Sequence, residues 1–153
     1  MSFDDYRSNR DPVLEAALCF SDDEFILDPI AYLTELYKAQ KLDELKSEAA
    51  RLAKDPNYRY LDFEAEFNKV GYELLGDNQL EAAIFVFQQN NELFPQSANT
   101  WDSLAEALWK AKQTVKAIEC YNQAIELDPE GSVGANARNM LKQIEAKSDQ
   151  TEK

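Results

Sequence analysis

The sequence contains no histidine among its 153 residues. This absence excludes the usual Ser-His-Asp and Cys-His catalytic arrangements, and with them the zinc motifs that use imidazole ligands. Cysteine occurs only as Cys19 and Cys120, which lie far apart and at no metal-binding or redox spacing. Two buried structural thiols are therefore expected, with a disulfide between them as the open alternative.

Glycine and proline are also scarce, with 4 and 5 residues respectively. The glycines are scattered, so no glycine-rich phosphate loop is present. The prolines fall at expected helix boundaries, which predicts a mostly helical protein with short connections. No apolar run approaches the about 18 residues that a transmembrane helix requires.

Basic residues are few, because 16 lysines and arginines face 29 aspartates and glutamates, for a formal net charge of −13. Nucleic acids and anionic membranes attract clustered positive charge, so this balance argues against both as partners. A solvated acidic surface is the ordinary explanation, and a basic partner is the alternative. No cofactor or metal is expected, because the carboxylates follow no EF-hand spacing and fall on polar helix faces or in loops.

What the chain does contain is an internal repeat with a period of 34 residues, in which residues 64–97 align without a gap with residues 98–131. The matched pairs are Phe67 with Trp101, Val70 with Leu104, Gly71 with Ala105, Leu74 with Leu108, Ala83 with Ala117, Ile84 with Ile118, Phe87 with Tyr121, Leu93 with Leu127 and Pro95 with Pro129. A period of this length indicates stacked helical pairs, which usually present surfaces rather than carry chemistry.

This repeat resembles the tetratricopeptide repeat, whose pattern of Trp, Leu-Gly, Tyr, Ala, Phe and Pro also spans 34 residues. The second copy carries the pattern as Trp101, Leu104, Leu108, Ala117, Tyr121 and Pro129. The first copy carries it as Phe67, Val70, Gly71, Leu74, Ala83, Phe87 and Pro95. The resemblance implies an all-α fold, an α-α superhelix of antiparallel helix hairpins with about seven or eight helices.

The flanking segments fit the same architecture less completely. The expected segments are an acidic N-terminal segment with a short helix (1–28), a degenerate or capping helical hairpin (29–62), two repeats (63–131), a C-terminal capping helix (132–147) and a disordered tail (148–153). Ser97 is expected to cap the helix that follows it. Gly131 and Gly134 are expected to loosen the chain after Pro129.

In the tetratricopeptide family, the first helix of each pair lines a concave face that binds protein segments. Carried over position by position, this face comprises Asn68, Lys69 and Tyr72 from the first repeat, and Asn99, Asp102, Ser103, Glu106, Trp109 and Lys110 from the second. Amides can bond a peptide backbone, aromatic rings can bury an anchor, and the acids favour lysine or arginine in the partner. The resemblance thus implies a scaffold for protein–protein interaction, not an enzyme.

Several alternatives stay open. Tyr72 and Trp109 can pack against the chain's own terminal segments instead of a partner. Residues 90–107 are similar to the repeat region at the C-terminal end of some bacterial serine hydrolases and esterases, which implies an accessory docking or dimerisation domain. Self-association through the ends of the stack is a further alternative, as is a stand-alone enzyme that uses carboxylates. A cytoplasmic location is expected if Met1 is the native start.

Overall fold

The computed structural model describes residues 25–151, with side chains up to residue 147. The helices of this part of the chain are α1 (Pro29–Lys38), α2 (Leu42–Lys54), α3 (Phe63–Gly76), α4 (Leu80–Leu93), α5 (Ala98–Lys110), α6 (Thr114–Leu127) and α7 (Ser132–Thr151), with a 3-10 turn over Pro56–Tyr58. The described residues contain no strand, so the prediction of an all-α repeat fold is confirmed. The chain divides into two compact units, Met1–Leu61 and Asp62–Lys153.

The predicted short helix before residue 25 and the predicted burial of Cys19 fall outside the described residues. Cys120 is buried on α6, in agreement with the prediction of a structural thiol. Among the described helices, none is at once long enough and apolar enough to cross a membrane.

The first unit contains the hairpin of α1 and α2. The Asp28 side chain accepts a hydrogen bond from the Ala31 backbone N–H at 2.9 Å and so caps the N-terminus of α1. Pro29 occupies the first helical position, where its missing N–H costs no hydrogen bond. The buried residues Leu33 and Leu36 of α1, and Leu45, Ala49 and Leu52 of α2, form the apolar faces of this hairpin. The Tyr58 ring is buried and its hydroxyl accepts from the Ile26 N–H at 2.6 Å.

Each hairpin turns through one residue in the left-handed region. These residues are Gln40, Asn78 and Lys112, with φ of 59°, 58° and 61°. The residue after each of them donates its N–H to a carbonyl five residues earlier, which closes the end of the preceding helix. In the middle hairpin, Asn78 takes this position and Gly76 ends the helix, so the turn uses asparagine's tolerance of positive φ rather than glycine's.

The second unit packs α3 against α4, α5 against α6, and α7 mainly against α6. Its core is built from small and large residues in alternation; the fully buried ones are Ala83, Phe87, Ala105, Ala107, Ala117, Tyr121, Ala124 and Ala137. A Cβ placed on Gly71 would lie 2.5 Å from the Phe87 ring, so the small residue is needed for the close approach of α3 and α4.

Helix α7 differs from its sequence-based expectation in two ways. It continues to Thr151 and so includes residues that were expected to be a disordered tail, because no proline or glycine interrupts the chain there. Gly134 does not loosen the chain: it is buried, and a Cβ at this position would overlap the Asp128 carbonyl oxygen. The glycine instead allows the first turn of α7 to pack directly on the end of α6.

Candidate functional site

The nine residues predicted to bind a partner all lie on first helices of the hairpins in the second unit. Asn68, Lys69 and Tyr72 lie on α3, and Asn99, Asp102, Ser103, Glu106, Trp109 and Lys110 lie on α5. Helix α5 contacts both α3 and α7, so the three helices lie side by side. We use the term first-helix face for the surface of these helices that carries Asn68, Tyr72, Asp102, Glu106 and Asn136.

Tyr72 links α3 to α5 on this face. Its hydroxyl donates to a Glu106 carboxylate oxygen at 3.1 Å and lies 3.3 Å from the Ser103 hydroxyl. The Tyr72 ring contacts the Phe87 ring edge-on, with centroids 5.1 Å apart, and this packing fixes the orientation of the Tyr72 ring. Burial, together with the charge of Glu106, raises the pKa of Tyr72 to about 12, so the hydroxyl remains a donor at neutral pH. With 38% of its surface exposed, Tyr72 stays accessible.

Asp102 links α5 to α7 in the same manner. The Asn136 side-chain amide donates to both carboxylate oxygens, at 3.1 and 2.9 Å. Burial raises the pKa of the Asp102 carboxyl above its ordinary value, the hydrogen bond from Asn136 opposes that shift, and the charge of Glu106 adds to it. Asp102 is thus a half-buried carboxyl group whose hydrogen-bond partner is a neutral amide.

Asn136 was missed by the sequence reasoning, although a signal for it exists. Tyr72 and Glu106 lie 34 positions apart, and so do Asp102 and Asn136. The repeat period therefore also spaces the polar contacts between successive first helices. Applied to Asp102, the same period would have found Asn136 on α7.

Glu64, at the start of α3, also escaped the sequence-based prediction. One of its carboxylate oxygens accepts from the Ser97 hydroxyl at 2.7 Å and from the Asn99 amide at 3.5 Å. Ser97 occupies the N-cap position of α5 as expected, but its hydroxyl bonds to Glu64 and makes no hydrogen bond to the helix backbone. Asn99, predicted to contact a partner, is partly engaged within the chain.

The rim of the face carries lysines of this chain. The ammonium group of Lys110 lies 3.0 Å from Glu106, one helical turn away. The ammonium group of Lys147, on α7, lies 4.5 Å from the centre of the Trp109 ring. This contact agrees with the alternative in which Trp109 packs against the C-terminal segment. Lys69 is exposed on α3.

Tyr121 lies in the core on α6, where the sequence assigned it, but its hydroxyl is a polar group that this assignment left out. It is fully buried, and its hydroxyl has no hydrogen-bond partner among the described residues. Burial raises the pKa of Tyr121 above its ordinary value, and the charges of Asp102 and Glu106 add to the shift. The sequence signal for this hydroxyl is that tyrosine stands at position 121, where the equivalent position of the first repeat is Phe87.

The face presents groups that can form hydrogen bonds and one partly exposed aromatic ring. Hydroxyl, amide and carboxylate groups are held in fixed positions by one another, and an aromatic ring is partly exposed among them. The described residues contain no group of carboxylates and thiols arranged to hold a metal ion.

Three comparisons with known proteins bear on this arrangement. Residues 98–130 match the tetratricopeptide repeat family, which confirms the resemblance for the second copy, α5 with α6. A solved structure of a mutant of MamA is similar to the chain at 20% sequence identity, with a TM-score of 0.47 and 89% of each chain covered. No curated protein matches the chain significantly. The similarity to the C-terminal region of serine hydrolases stays a hypothesis.

Proposed function

We propose that the protein is a non-catalytic scaffold that binds a protein or peptide segment across the first-helix face. The tetratricopeptide match at residues 98–130 and the helical repeat fold support a protein-interaction scaffold. The observation that carries the choice of surface is the pair of contacts between successive first helices, Tyr72 with Glu106 and Asp102 with Asn136.

These contacts favour binding because they organise the surface in advance. A side chain that is already held by a neighbour loses little conformational freedom when a partner binds. Tyr72 offers a partly exposed ring with a polar tip, a combination enriched at protein interfaces. Amide and carboxylate oxygens can accept hydrogen bonds from the backbone or side chains of the bound segment.

The charge of the chain favours a basic partner. With a formal net charge of −13, the protein attracts positively charged segments over a distance and accelerates their association. Lys110 does not prevent such binding, because an exposed ion pair of this kind contributes only about 0–1 kcal/mol. An incoming cation can therefore replace it at Glu106.

The proposal is tested by selecting short random peptides on the full chain and mapping their binding by NMR. Perturbed backbone amides are expected on α3, α5 and α7, and Tyr72→Ala is expected to weaken binding by about tenfold or more, as for an aromatic interface anchor. Val115→Ala is the matched control, because Val115 is an exposed large side chain on the second helix α6. Perturbations confined to α4 and α6, or equal effects of the two variants, would contradict the proposal.

The alternative of self-association is separated by sedimentation of the free chain at increasing concentration. A constant sedimentation coefficient is expected, with the face left available to a peptide. If the chain dimerises and the dimer excludes the selected peptides, the face serves a second copy instead.

A further inference from the structure

The Trp109 ring lies on the first-helix face and carries a cation of the chain itself. Trp109 follows Asp102 by about two turns of α5, which puts both side chains on the same side of that helix. Lys147 follows Asn136 by about three turns of α7, with the same result for that helix. Since Asn136 bonds to Asp102, Lys147 comes to lie beside Trp109, with its ammonium nitrogen 4.5 Å from the centre of the ring.

The ring is held firmly, whereas the cation that covers it is not. Trp109 packs against the apolar core of the second unit, and Lys147 is exposed. Ile144 is the last buried residue of α7 among those whose side chains are described, so Lys147 lies beyond the part of the helix that the core anchors. A cation–π contact at an exposed site is among the weaker ones, because water competes for the ammonium. A partner can therefore replace Lys147 on the ring at little cost.

The surroundings of the ring favour positive charge. The face of an indole ring is electrostatically negative and attracts cations. Glu106 lies one turn before Trp109 on α5, and its carboxylate attracts the Lys110 ammonium at 3.0 Å. The ring and the carboxylate thus each hold a lysine of the chain, Lys147 and Lys110 respectively.

We propose that the Trp109 ring is a subsite for a cationic side chain of the bound segment, and that Lys147 occupies it as an internal competitor in the free chain. The proposal rests on the proposed function, because it concerns a segment bound across the first-helix face. Arginine fits better than lysine, since a planar guanidinium stacks on an indole ring and can also bond to the Glu106 carboxylate. Binding then exchanges one cation on the ring for another.

The first test follows the Lys147 side chain of the full chain by NMR. A methylene group above an aromatic ring resonates upfield, so the Lys147 Hε signal is expected upfield of that of Lys142, an exposed lysine of the same helix. Random peptides selected on the full chain are expected to be enriched in arginine. Saturation with one of them should return the Lys147 signal to its ordinary position and move the Hδ signal of the peptide's arginine upfield.

Two results of this test would overturn the proposal. A Lys147 signal at its ordinary position in the free chain would mean that Lys147 does not compete for the ring. Displacement of Lys147 by peptides that contain neither arginine nor lysine would mean that the ring does not select a cation.

The second test removes the competitor. Lys147→Gln is expected to raise the affinity for the arginine peptides about two- to fivefold, the range of a cation–π contact at an exposed site. Lys142→Gln is the matched control, because it changes the net charge of the same helix equally at an exposed position. Equal effects of the two variants would assign the gain to general electrostatics and remove Lys147 as a competitor.

The third test removes the charge of the incoming side chain. Citrulline has the planar end group of arginine without its charge, so a citrulline copy of the peptide is expected to bind about fivefold more weakly or worse. On Trp109→Leu, shown to be folded by its thermal unfolding, the same exchange should cause a smaller loss, because the ring that recognises the charge is gone. Equal losses on the parent chain and on this variant would contradict a subsite at the ring.

The outcomes separate this proposal from the proposed function. If peptides perturb α3, α5 and α7 while Lys147 stays over Trp109, the subsite is wrong and the scaffold stands. If no selected peptide perturbs these helices, the scaffold proposal falls and the subsite falls with it.

Discussion

Two junctions follow one another in the second unit, and the chain holds them together by different means. The first connects α4 to α5 and is polar: Thr100 donates to the Ser97 carbonyl at 2.9 Å and accepts from the Asn91 amide at 3.2 Å. Asn90 donates to the Glu64 carbonyl at 3.0 Å. All these contacts lie at the interface of α3, α4 and α5.

The second junction connects α6 to α7 and replaces these polar residues with small or apolar ones. The residues 34 positions later are Ala98 for Glu64, Ala124 for Asn90, Ile125 for Asn91, Gly131 for Ser97, Val133 for Asn99 and Gly134 for Thr100. The Asp128 carboxylate accepts from the Val133 and Gly134 backbone N–H groups, at 3.1 and 3.4 Å, and so starts α7. Gly134 then packs against the Asp128 carbonyl without room for a Cβ.

The difference shows that one repeat geometry can be held either by directed hydrogen bonds or by close backbone contact. Hydrogen bonds between buried amides and hydroxyls specify one partner arrangement, because each unpaired group would be costly. Close backbone packing tolerates no added atoms but needs no polar partner. The first junction is therefore sensitive to loss of polar groups, and the second to gain of volume.

The largest effect is expected from Gly134→Ala, which adds volume at the second junction. The new methyl group would overlap the Asp128 carbonyl, so the backbone must shift, and we expect a loss of about 3 kcal/mol in the free energy of unfolding. Urea denaturation followed by circular dichroism measures this change.

The matched control is Gly76→Ala, at the end of α3. A Cβ there meets no atom of the described residues within 4 Å, so the same exchange should raise stability by about 0.5–1 kcal/mol. Equal effects of the two exchanges would refute close packing as the basis of the second junction.

A smaller effect is expected from Thr100→Val, which preserves volume and removes a polar group at the first junction. The Asn91 amide would lose its acceptor and the Ser97 carbonyl a donor, at a cost of about 2 kcal/mol in the free energy of unfolding. Thr114→Val makes the same exchange at an exposed position and should stay within about 0.5 kcal/mol. Equal losses in both variants, measured by urea denaturation, would mean that the polar contacts do not stabilise this junction.

The smallest effect is expected from Asp102, which links α5 to α7 on the first-helix face beside the second junction. Since burial raises the pKa of this carboxyl in the folded state, the folded chain holds a proton that the unfolded chain has already released. Stability contributed by this group therefore falls as pH rises from the unfolded value, about 3.9, through the raised folded value.

The measurement is urea denaturation of Asp102→Asn and the parent chain across this range. The variant is expected to be slightly more stable at neutral pH, and its advantage should vanish as the pH falls below about 4. The exposed Asp77→Asn controls for the change in charge. An advantage that does not depend on pH would show that burial of Asp102 is not its source.

Much of the fold could be predicted because its signals are local. Asp28-Pro29 starts α1 as predicted, and the period that pairs Phe87 with Tyr121 places both as fully buried residues of second helices. The turn residues were harder to assign, because Gly76 and Asn78 can both take positive φ and only the closing hydrogen bonds select Asn78.

The candidate surface was predicted in part. All nine residues were placed on first helices, but the sequence did not show that Tyr72 and Glu106 bond to each other, or that Lys147 covers Trp109. It also missed Asn136 and Glu64, because each bonds to a side chain on another helix, Asp102 and Ser97 respectively, about one repeat away in the chain.

The sequence by itself determined the helices, their pairing and the repeat, because apolar spacing and turn residues act within a few positions of the chain. Only the tertiary structure decided how the polar and small residues are used. Ser97 occupies the N-cap position of α5, yet its hydroxyl bonds to Glu64 rather than to the helix backbone. Gly134 has the residue type of a flexible link and packs tightly instead. Both outcomes depend on distances between helices, and those are set by packing of the whole unit rather than by any local pattern.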